Sequence, residues 1–502
     1  MTFDPLAPSD AADGDAAAIS PADAAAGPAA AAVSPAVAAR NRLVINLLLV
    51  SAFVVILNET VMSVALPPLM VSLNVTANAV QWLTTAFLLT TAVVIPVTGF
   101  LLQRLHTRPI FIAAMSLFVF GTLVAAVSPG LGLLIVARVI QASGTAIMMP
   151  LLMTTVMTLV PPETRGKTMG NISIVMSVAP AVGPTLSGLI LNYLEWRWLF
   201  ILVLPIALGA LSLGVRRIEN VTTPRYAPLD VLSVILSAFA FGGAVYGISA
   251  LGVPSAARPI PVALPLAVGA VAMIAFVLRQ IALQKTNGPL LDLRTFASRT
   301  FTLSVLLMAI MMMTLFGTII LLPIYLQDVL GLSTLQTGLL LLPGGLLMGL
   351  LGPPVGRLYD RVGPTRLLVP GVIVVSLVLW AMTLLTTTTS IGAILLGHVI
   401  ISIGFAFLFT PLFTVSLSSI KPELYSHGSA LLGSIQQVAG ATGVALFVTL
   451  MSARMAGLGA LPETEALTGG IRAAFVCGAF LSLLAVGCAF FVRAPRAVRG
   501  GG

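Results

Sequence analysis

Glu59 sits in the run Val54-Val55-Ile56-Leu57-Asn58-Glu59-Thr60-Val61-Met62, the one acid deep inside an apolar segment of this sequence. A charged side chain at the centre of a bilayer costs about 2.5–3.5 kcal/mol on insertion scales, so such a carboxylate needs a proton or a cation. Arg138 is the natural cation, and with Gln141 and Thr145 it recurs at i, i+3 and i+7, one polar face of an otherwise apolar helix. The chemistry this pairing offers is reversible protonation. Glu59 would alternate between a neutral form and an ionised form paired with Arg138 or with a substrate cation, while a permanent bridge that only fixes helix packing is the competing reading. His398, Ser402, Phe405 and Phe409 share a second face at helical spacing, and the sequence favours a hydrogen-bonded packing role for His398 over a proton relay. Met308, Met311, Met312 and Leu315 could form an opposing flexible apolar wall of the kind promiscuous sites use.

The elements that must position these residues are membrane helices. Of 502 residues 58% are hydrophobic and 8% charged, with a mean hydropathy of +1.09, which excludes a soluble globule. The expected fold class is an all-α polytopic membrane protein, with fourteen apolar stretches of spanning length running from about residue 44 to about residue 492. Of the 25 Lys and Arg residues, Arg197, Arg258, Arg454 and Arg472 fall on one side, Arg138 falls within a span and the other twenty lie on the opposite side. The positive-inside rule then puts both termini in the cytoplasm, and the expected location is a bacterial plasma (inner) membrane. At about 1.5 Å per residue, Glu59 on an outward-running helix and Arg138 on an inward-running one both fall in the outer half of the membrane. The net charge of +9 belongs to loops facing an anionic leaflet and gives no reason to expect nucleic acid as a partner.

The expected organisation is a disordered cytoplasmic tail at 1–39, a six-helix bundle at 40–217, two inserted helices with their connections at 218–285, a second six-helix bundle at 286–493 and a short tail at 494–502. An internal repeat supports the two bundles. Gly99-Phe100-Leu101-Leu102-Gln103-Arg104-Leu105 matches Gly356-Arg357-Leu358-Tyr359-Asp360-Arg361-Val362 at an offset of 257, and Pro162-Glu163 matches Pro422-Glu423 at an offset of 260. Two related bundles of this kind are the architecture of transporters that rock about a central site. Cys477 and Cys488 lie eleven residues apart on one helix, too far to bridge each other, and are expected to pack.

Four motifs carry a resemblance to a known family. Leu57-Asn58-Glu59-Thr60-Val61-Met62-Ser63-Val64-Ala65-Leu66-Pro67, Arg138-Val139-Ile140-Gln141 with Gly144, Ala179-Pro180-Ala181-Val182-Gly183-Pro184-Thr185-Leu186-Ser187-Gly188, and Gly356 to Arg366 resemble motifs of the major facilitator superfamily. Within it the chain resembles the fourteen-helix drug:proton antiporters, in a form similar to lincomycin-resistance exporters. The resemblance implies proton coupling by Glu59 and Arg138, and a substrate cavity that includes Asn58, Gln141, Thr145, Met311, His398, Ser402 and Phe405. It also implies a cytoplasmic gate of Gln103, Arg104, Arg108, Gly356, Asp360, Arg361 and Arg366, and an antiporter-motif helix carrying Gly183, Pro184 and Gly188. Two departures stand out. The first-helix acid of the signature falls on Asn58, so here the carboxylate stands one residue, or about 100°, further round the helix. Gln103 replaces the Asp of the first-half gate motif, which throws the latch onto Asp360, expected near a helix start beside Arg361 or Arg366.

The function these readings imply is proton-coupled export of amphipathic drugs or toxic small molecules by alternating access, secondary transport and not enzymatic catalysis. Export of an endogenous lipid, siderophore or antibiotic, or a non-transporting scaffold or sensor, is the alternative. No cofactor or metal is expected, the proton gradient being the energy source. Pro161 to Thr168 ends like a phosphate-binding loop but lacks its first glycine and the surrounding domain. Protons, small amphipathic molecules and the lipid bilayer are the expected partners, and a periplasmic adaptor protein is left open.

Overall fold

A computed structural model describes residues 35–221, 224, 228–251, 260–286 and 288–493. Both expected tails fall largely outside these residues. The described chain forms sixteen α-helices: α1 Pro35–Leu73, α2 Ala77–Arg104, α3 Thr107–Ala126, α4 Leu131–Leu159, α5 Arg165–Tyr193, α6 Trp198–Ile201, α7 Val203–Arg217, α8 Val231–Leu251, α9 Ala263–Leu283, α10 Arg299–Ile324, α11 Thr334–Leu350, α12 Gly352–Val362, α13 Thr365–Met382, α14 Ile391–Ser418, α15 Tyr425–Ala456 and α16 Glu463–Ala489. Helices α6 and α7 run on as one span, as do α11 and α12, which gives fourteen spans among the described residues. Helix α1 begins at Pro35, several residues ahead of the expected boundary.

Helices dominate because hydrocarbon offers no partner to a free backbone N–H or C=O. Their ends are fixed by polar side chains that satisfy the first orphan N–H groups: Thr76 for α2, Ser298 for α10, Ser390 for α14, and Ser333 in a reciprocal capping box with Gln336 for α11. Helix α12 stops at Gly363, whose φ of 78° is a conformation a side chain would strain. Prolines interrupt α5 at Pro180 and Pro184, and others lie inside α2, α4, α10, α11 and α14.

Helices α2, α3, α4 and α7 pack together in the first half and α10, α13, α14, α15 and α16 in the second. Between the halves run two seams, α5 against α11, α12 and α14, and α2 and α4 against α15. The α5 seam is a zipper of small residues, in which Gly345, Gly349, Gly352 and Gly356 of the second half face α5. A Cβ on Gly345 would strike Ala181, one on Gly349 would strike Val178, and ones on Gly352 and Gly356 would strike the Gly170 and Gly166 carbonyls. Backbones this close gain dispersion contacts that bulkier side chains would prevent.

The pair α8–α9 stands apart from both halves and seats α8 on α2 and α15. Gly243 meets Gly269 at their crossing, and Trp82 of α2 stacks on Tyr246 of α8 with ring centroids 6.1 Å apart. At the end of the bundle where the Arg- and Lys-rich connections gather, here called the basic face, Arg279 of α9 grips Asp230 with two hydrogen bonds of 2.6 and 2.7 Å. That grip holds the Asp230 carboxyl down at about 2.

Gly144 and Gly132 of α4 make opposite demands. A Cβ at Gly144 would lie 2.8 Å from the Phe118 nitrogen and closer still to the Ala114 carbonyl, whereas one at Gly132 meets nothing. Gly144→Ala is expected to destabilise the protein by about 1–3 kcal/mol through overpacking. Gly132→Ala is expected to stabilise it by about 0.5–1 kcal/mol by relieving glycine's entropy cost within a helix. Thermal unfolding of the two purified variants in one detergent checks the difference in sign.

Candidate functional site

Arg138 is 1% exposed, yet it touches no carboxylate. Its Nη1 donates to Gln141 Oε1 at 2.9 Å and to Asn58 Oδ1 at 3.4 Å, its Nε donates to the Leu83 carbonyl at 3.5 Å, and its guanidinium lies 4.1 Å from the centroid of the Phe87 ring. Gln141 passes the network on, its Nε2 donating to Thr122 Oγ1 at 2.8 Å, and Thr122 donates to the Phe118 carbonyl at 2.7 Å. The cation is thus enclosed by amide dipoles and a π face drawn from α1, α2 and α4, with α3 behind them.

Glu59 is not in that cage. The expected Glu59–Arg138 ion pair does not form: the carboxylate is half-buried and, among the described residues, has no hydrogen-bond or ion-pair partner. Arg138 acts on it only through space. The physical reason is the one-residue step, because Asn58 (2% exposed) turns toward α4 and Glu59, about 100° away, turns elsewhere. Thr60 follows at the crossing of α1 and α5, where its hydroxyl reaches the Ala179 carbonyl at 3.5 Å and occupies the space a Cβ on Gly183 would need. Of the antiporter-motif residues, Gly183 is therefore a close-approach point and Pro184 lies inside the helix, while Gly188 faces open space.

The remaining cavity residues do not converge on one open space. Gln141 and Thr145 are buried within the first half, where Thr145 bonds back to the Gln141 carbonyl at 3.0 Å. Met311 and Phe405 are sealed in the hydrophobic core, and Phe405 stacks on Phe409 at 5.5 Å. His398 turns toward α11, with Nε2 3.0 Å from the Leu341 carbonyl and its ring against Gly344, and Ser402 donates to the His398 carbonyl at 2.7 Å. His398 thus lies between α11 and α14, with its Nδ1 buried and without a hydrogen-bond partner among the described residues.

The gate residues divide sharply. Asp360 lies near the end of α12, not at a helix start, and it reaches across the halves. Its Oδ1 accepts from the Gly166 N–H at 2.8 Å and its Oδ2 from the Lys167 N–H at 2.9 Å, so it caps the N-terminus of α5. This corrects the expected pairing with Arg361 or Arg366, both of which are exposed and bonded to nothing among the described residues. The reason is geometric: two orphan N–H groups and the positive end of the α5 dipole are presented where Gly356 lets α12 come close. Arg108 stays within its own half, donating to the Val215 carbonyl at 2.7 Å. Arg104 lies over the Phe100 ring, and Gln103 makes no hydrogen bond among the described residues. The N-terminus that looked like a phosphate-binding loop is therefore filled by Asp360.

Several closing contacts were not singled out from sequence. Thr154 meets Ser429 at 2.7 Å and Ser173 meets Thr410 at 2.6 Å across the seams. Arg165 caps α4 through the Met157 carbonyl at 2.9 Å, bonds the Tyr425 hydroxyl at 3.3 Å and lies over its ring. Arg165 and Tyr425 are themselves repeat mates at the 260 offset, a signal that could have pointed to them. All these contacts lie toward the basic face, so the described conformation is closed there.

Two helical halves, a buried charge cage beside an unpartnered carboxylate, and a latch at one end define a membrane transporter and not an enzyme. The chain belongs to the Major Facilitator Superfamily, whose model matches residues 48–444. It is 40% identical over 453 residues to an uncharacterized MFS-type transporter, YcnB, of Bacillus subtilis, covering 90% of this chain and 95% of that one. It is 39% identical over 455 residues to the lincomycin resistance protein LmrB of Listeria monocytogenes, covering 89% and 96%. Among solved structures, the human organic anion transporter MFSD10 superposes with a TM-score of 0.66 at 15% identity, over 89% of this chain and 99% of that one, which shows the shared fold.

Asp360→Ala removes the cap on α5 and should cost the closed conformation about 1–2 kcal/mol, in the range of lost N-caps. The expected outcome is faster labelling of a cysteine placed at Thr410 by a water-soluble maleimide, and Asp360→Glu should recover part of the protection. Labelling at the wild-type rate in Asp360→Ala would show that the cap does not hold the seam.

Proposed function

We propose that the chain is a proton-coupled antiporter that exports amphipathic drugs or toxic small molecules across a bacterial plasma membrane by alternating access, with the basic face and both termini cytoplasmic. One observation carries this reading. A half-buried intramembrane carboxylate, Glu59, has no hydrogen-bond or ion-pair partner among the described residues, while the neighbouring Arg138 is satisfied by neutral groups. Glu59 is thus free to take a proton or a substrate cation, and Arg138 keeps its hydrogen bonds whichever form Glu59 adopts. Ionised and unpartnered, the carboxylate is expensive in hydrocarbon, so the favourable states are the protonated one and the one that holds a cation. Exchange between those two is the elementary step of antiport.

The likeness to a lincomycin resistance protein supports a drug as cargo, and the asymmetric Lys and Arg distribution supports the orientation. The membrane potential supplies about 2.3 kcal/mol per charge per 100 mV, so one inward proton sustains a solute gradient of about fifty-fold per 100 mV. The proton gradient is then a sufficient energy source, and no bound cofactor has a part in the cycle.

Glu59→Gln keeps the shape and removes the titration. In proteoliposomes with an imposed pH gradient it is expected to lower drug efflux at least tenfold, with wild-type elution and thermal unfolding, and to abolish the resistance that overexpression confers in a susceptibility panel. Undiminished pH-driven efflux by the folded variant would remove Glu59 from the mechanism.

A further inference from the structure

The two halves repeat at the basic face, but they are not closed alike. In the α5 seam Asp360 caps the N-terminus of α5. The repeat offset carries Asp360 onto Gln103, and carries Gly166-Lys167 onto Ser426-His427 at the start of α15. The close backbone approach is kept in the α2/α15 seam, where a Cβ on Gly99 would stand 3.3 Å from the Ser426 carbonyl. The cap is not kept, since Gln103 makes no hydrogen bond among the described residues.

What lies in that seam instead is the connection between α9 and α10. Leu290, Leu291 and Asp292 are 1%, 0% and 2% exposed, although connecting segments ordinarily run over a surface where water satisfies their backbone. Leu291 comes within 3.4 Å of the Cβ position of Gly99. The backbone is satisfied from the inserted pair: Gln280 Oε1 accepts from the Leu290 and Leu291 N–H groups at 2.7 and 3.2 Å, and its Nε2 donates to Ser233 Oγ at 2.7 Å. Ser233 donates to Asp230, which Arg279 grips. On the far side Asp292 caps the turn at Arg294 and faces His427 of α15, a residue 2% exposed that lies against the Leu290 backbone and whose Nδ1 has no hydrogen-bond partner.

We propose that Leu290–Asp292, anchored by Gln280, is the second latch of the basic face: a strap from the inserted pair α8–α9 fills the place an acid at position 103 would take, and the α2/α15 seam opens only as it withdraws. Gln280 is then a positioning residue that acts through the strap. The inserted pair is coupled to the gate and is not a passive addition to the bundle. The inference rests on the alternating-access reading, but its test reads conformation and needs neither substrate nor proton gradient.

The test uses solubilised full-length protein in which Cys477 and Cys488 are replaced by Ala and a single reporter cysteine replaces Thr154, whose side chain is buried against Ser429 in the closed seam. The rate of labelling by a water-soluble maleimide reports opening of the basic face. Gln280→Ala and Leu291→Ala are each expected to raise that rate at least fivefold, and adding Gln103→Asp to either should return it to within twofold of the parent. Gln103→Asp alone, a substitution outside the packed core, should leave labelling within twofold of the parent, because the strap already holds the place an acid would take, so the proposal stays testable even where a strap variant does not fold. Unchanged labelling in folded strap variants, a rise that Gln103→Asp does not reverse, or labelling slowed threefold or more by Gln103→Asp alone would each overturn it and leave the strap as static packing.

Discussion

A guanidinium cannot lose its charge and cannot lie bare in hydrocarbon, and the first half of this fold is arranged around that constraint at Arg138. Removing one partner of a buried charge typically costs about 3–5 kcal/mol. The side chains and backbone that meet Arg138 come from α1, α2 and α4, with Thr122 of α3 behind Gln141. Four helices must hold their relative rotations for that cage to close. Their close approach is enforced where side chains are missing: Gly144 lets α4 reach the Ala114 carbonyl, and Gly121 lets α3 reach the backbone of Gln141. The glycines and the cage are one device, because only backbones this near bring Thr122 within hydrogen-bond reach of Gln141.

The seams between halves follow a different logic. A contact that must break in every transport cycle cannot be a deep hydrophobic core, so it is built from surfaces that separate without exposing large apolar side chains. Gly166, Gly170, Gly352 and Gly356 supply backbone against backbone, Ser173–Thr410 and Thr154–Ser429 supply hydroxyl pairs that water can replace, and Asp360 supplies one charge-assisted cap. Each is a modest contribution, and a charge at a helix N-terminus is typically worth about 0.3–1 kcal/mol. Their sum can hold one state against another and still be reversed by substrate binding or, in the proposed cycle, by proton binding.

Much of this was legible in the sequence because hydrocarbon imposes a simple rule on length and polarity. The fourteen spans and the helical fold follow from runs of apolar residues, and the repeat at offsets of 257 and 260 exposed the two halves. What sequence could not give was rotation about each helix axis and contact between distant segments. Glu59 and Arg138 fall at similar depths, which suggested a pair, yet 100° of rotation hands Arg138 to Asn58. Asp360 stands beside Arg361 and Arg366 in sequence, yet its partners lie almost two hundred residues away at Gly166 and Lys167. Residues at i, i+3 and i+7 do share a face, but spacing does not say whether that face meets water or, as with Gln141, another helix. The burial of the connection before α10 follows only from where α8 and α9 come to rest.

The displaced acid separates two roles that a carboxylate at position 58 would have combined. An acid in contact with Arg138 would have its proton affinity governed by that cation, and every protonation would break an ion pair inside the membrane. With an amide at Asn58 the cage around Arg138 is indifferent to protonation, because neither Asn58 nor Gln141 titrates. Glu59 then feels Arg138 as a field and not as a bond, so in the proposed proton-coupled cycle loading and unloading a proton would not rearrange α4. In that cycle the conformational consequence of protonation would instead pass along α1 itself. One residue on, the Thr60 hydroxyl, 3.0 Å from the Leu57 carbonyl of its own helix, comes within 3.5 Å of the Ala179 carbonyl and packs on Gly183 of α5. Helix α5 is also the helix whose far end is capped by Asp360. A single helix therefore joins the neighbourhood of Glu59 to the latch at the basic face, and Pro180 and Pro184 lie within that helix beside its contact with Thr60.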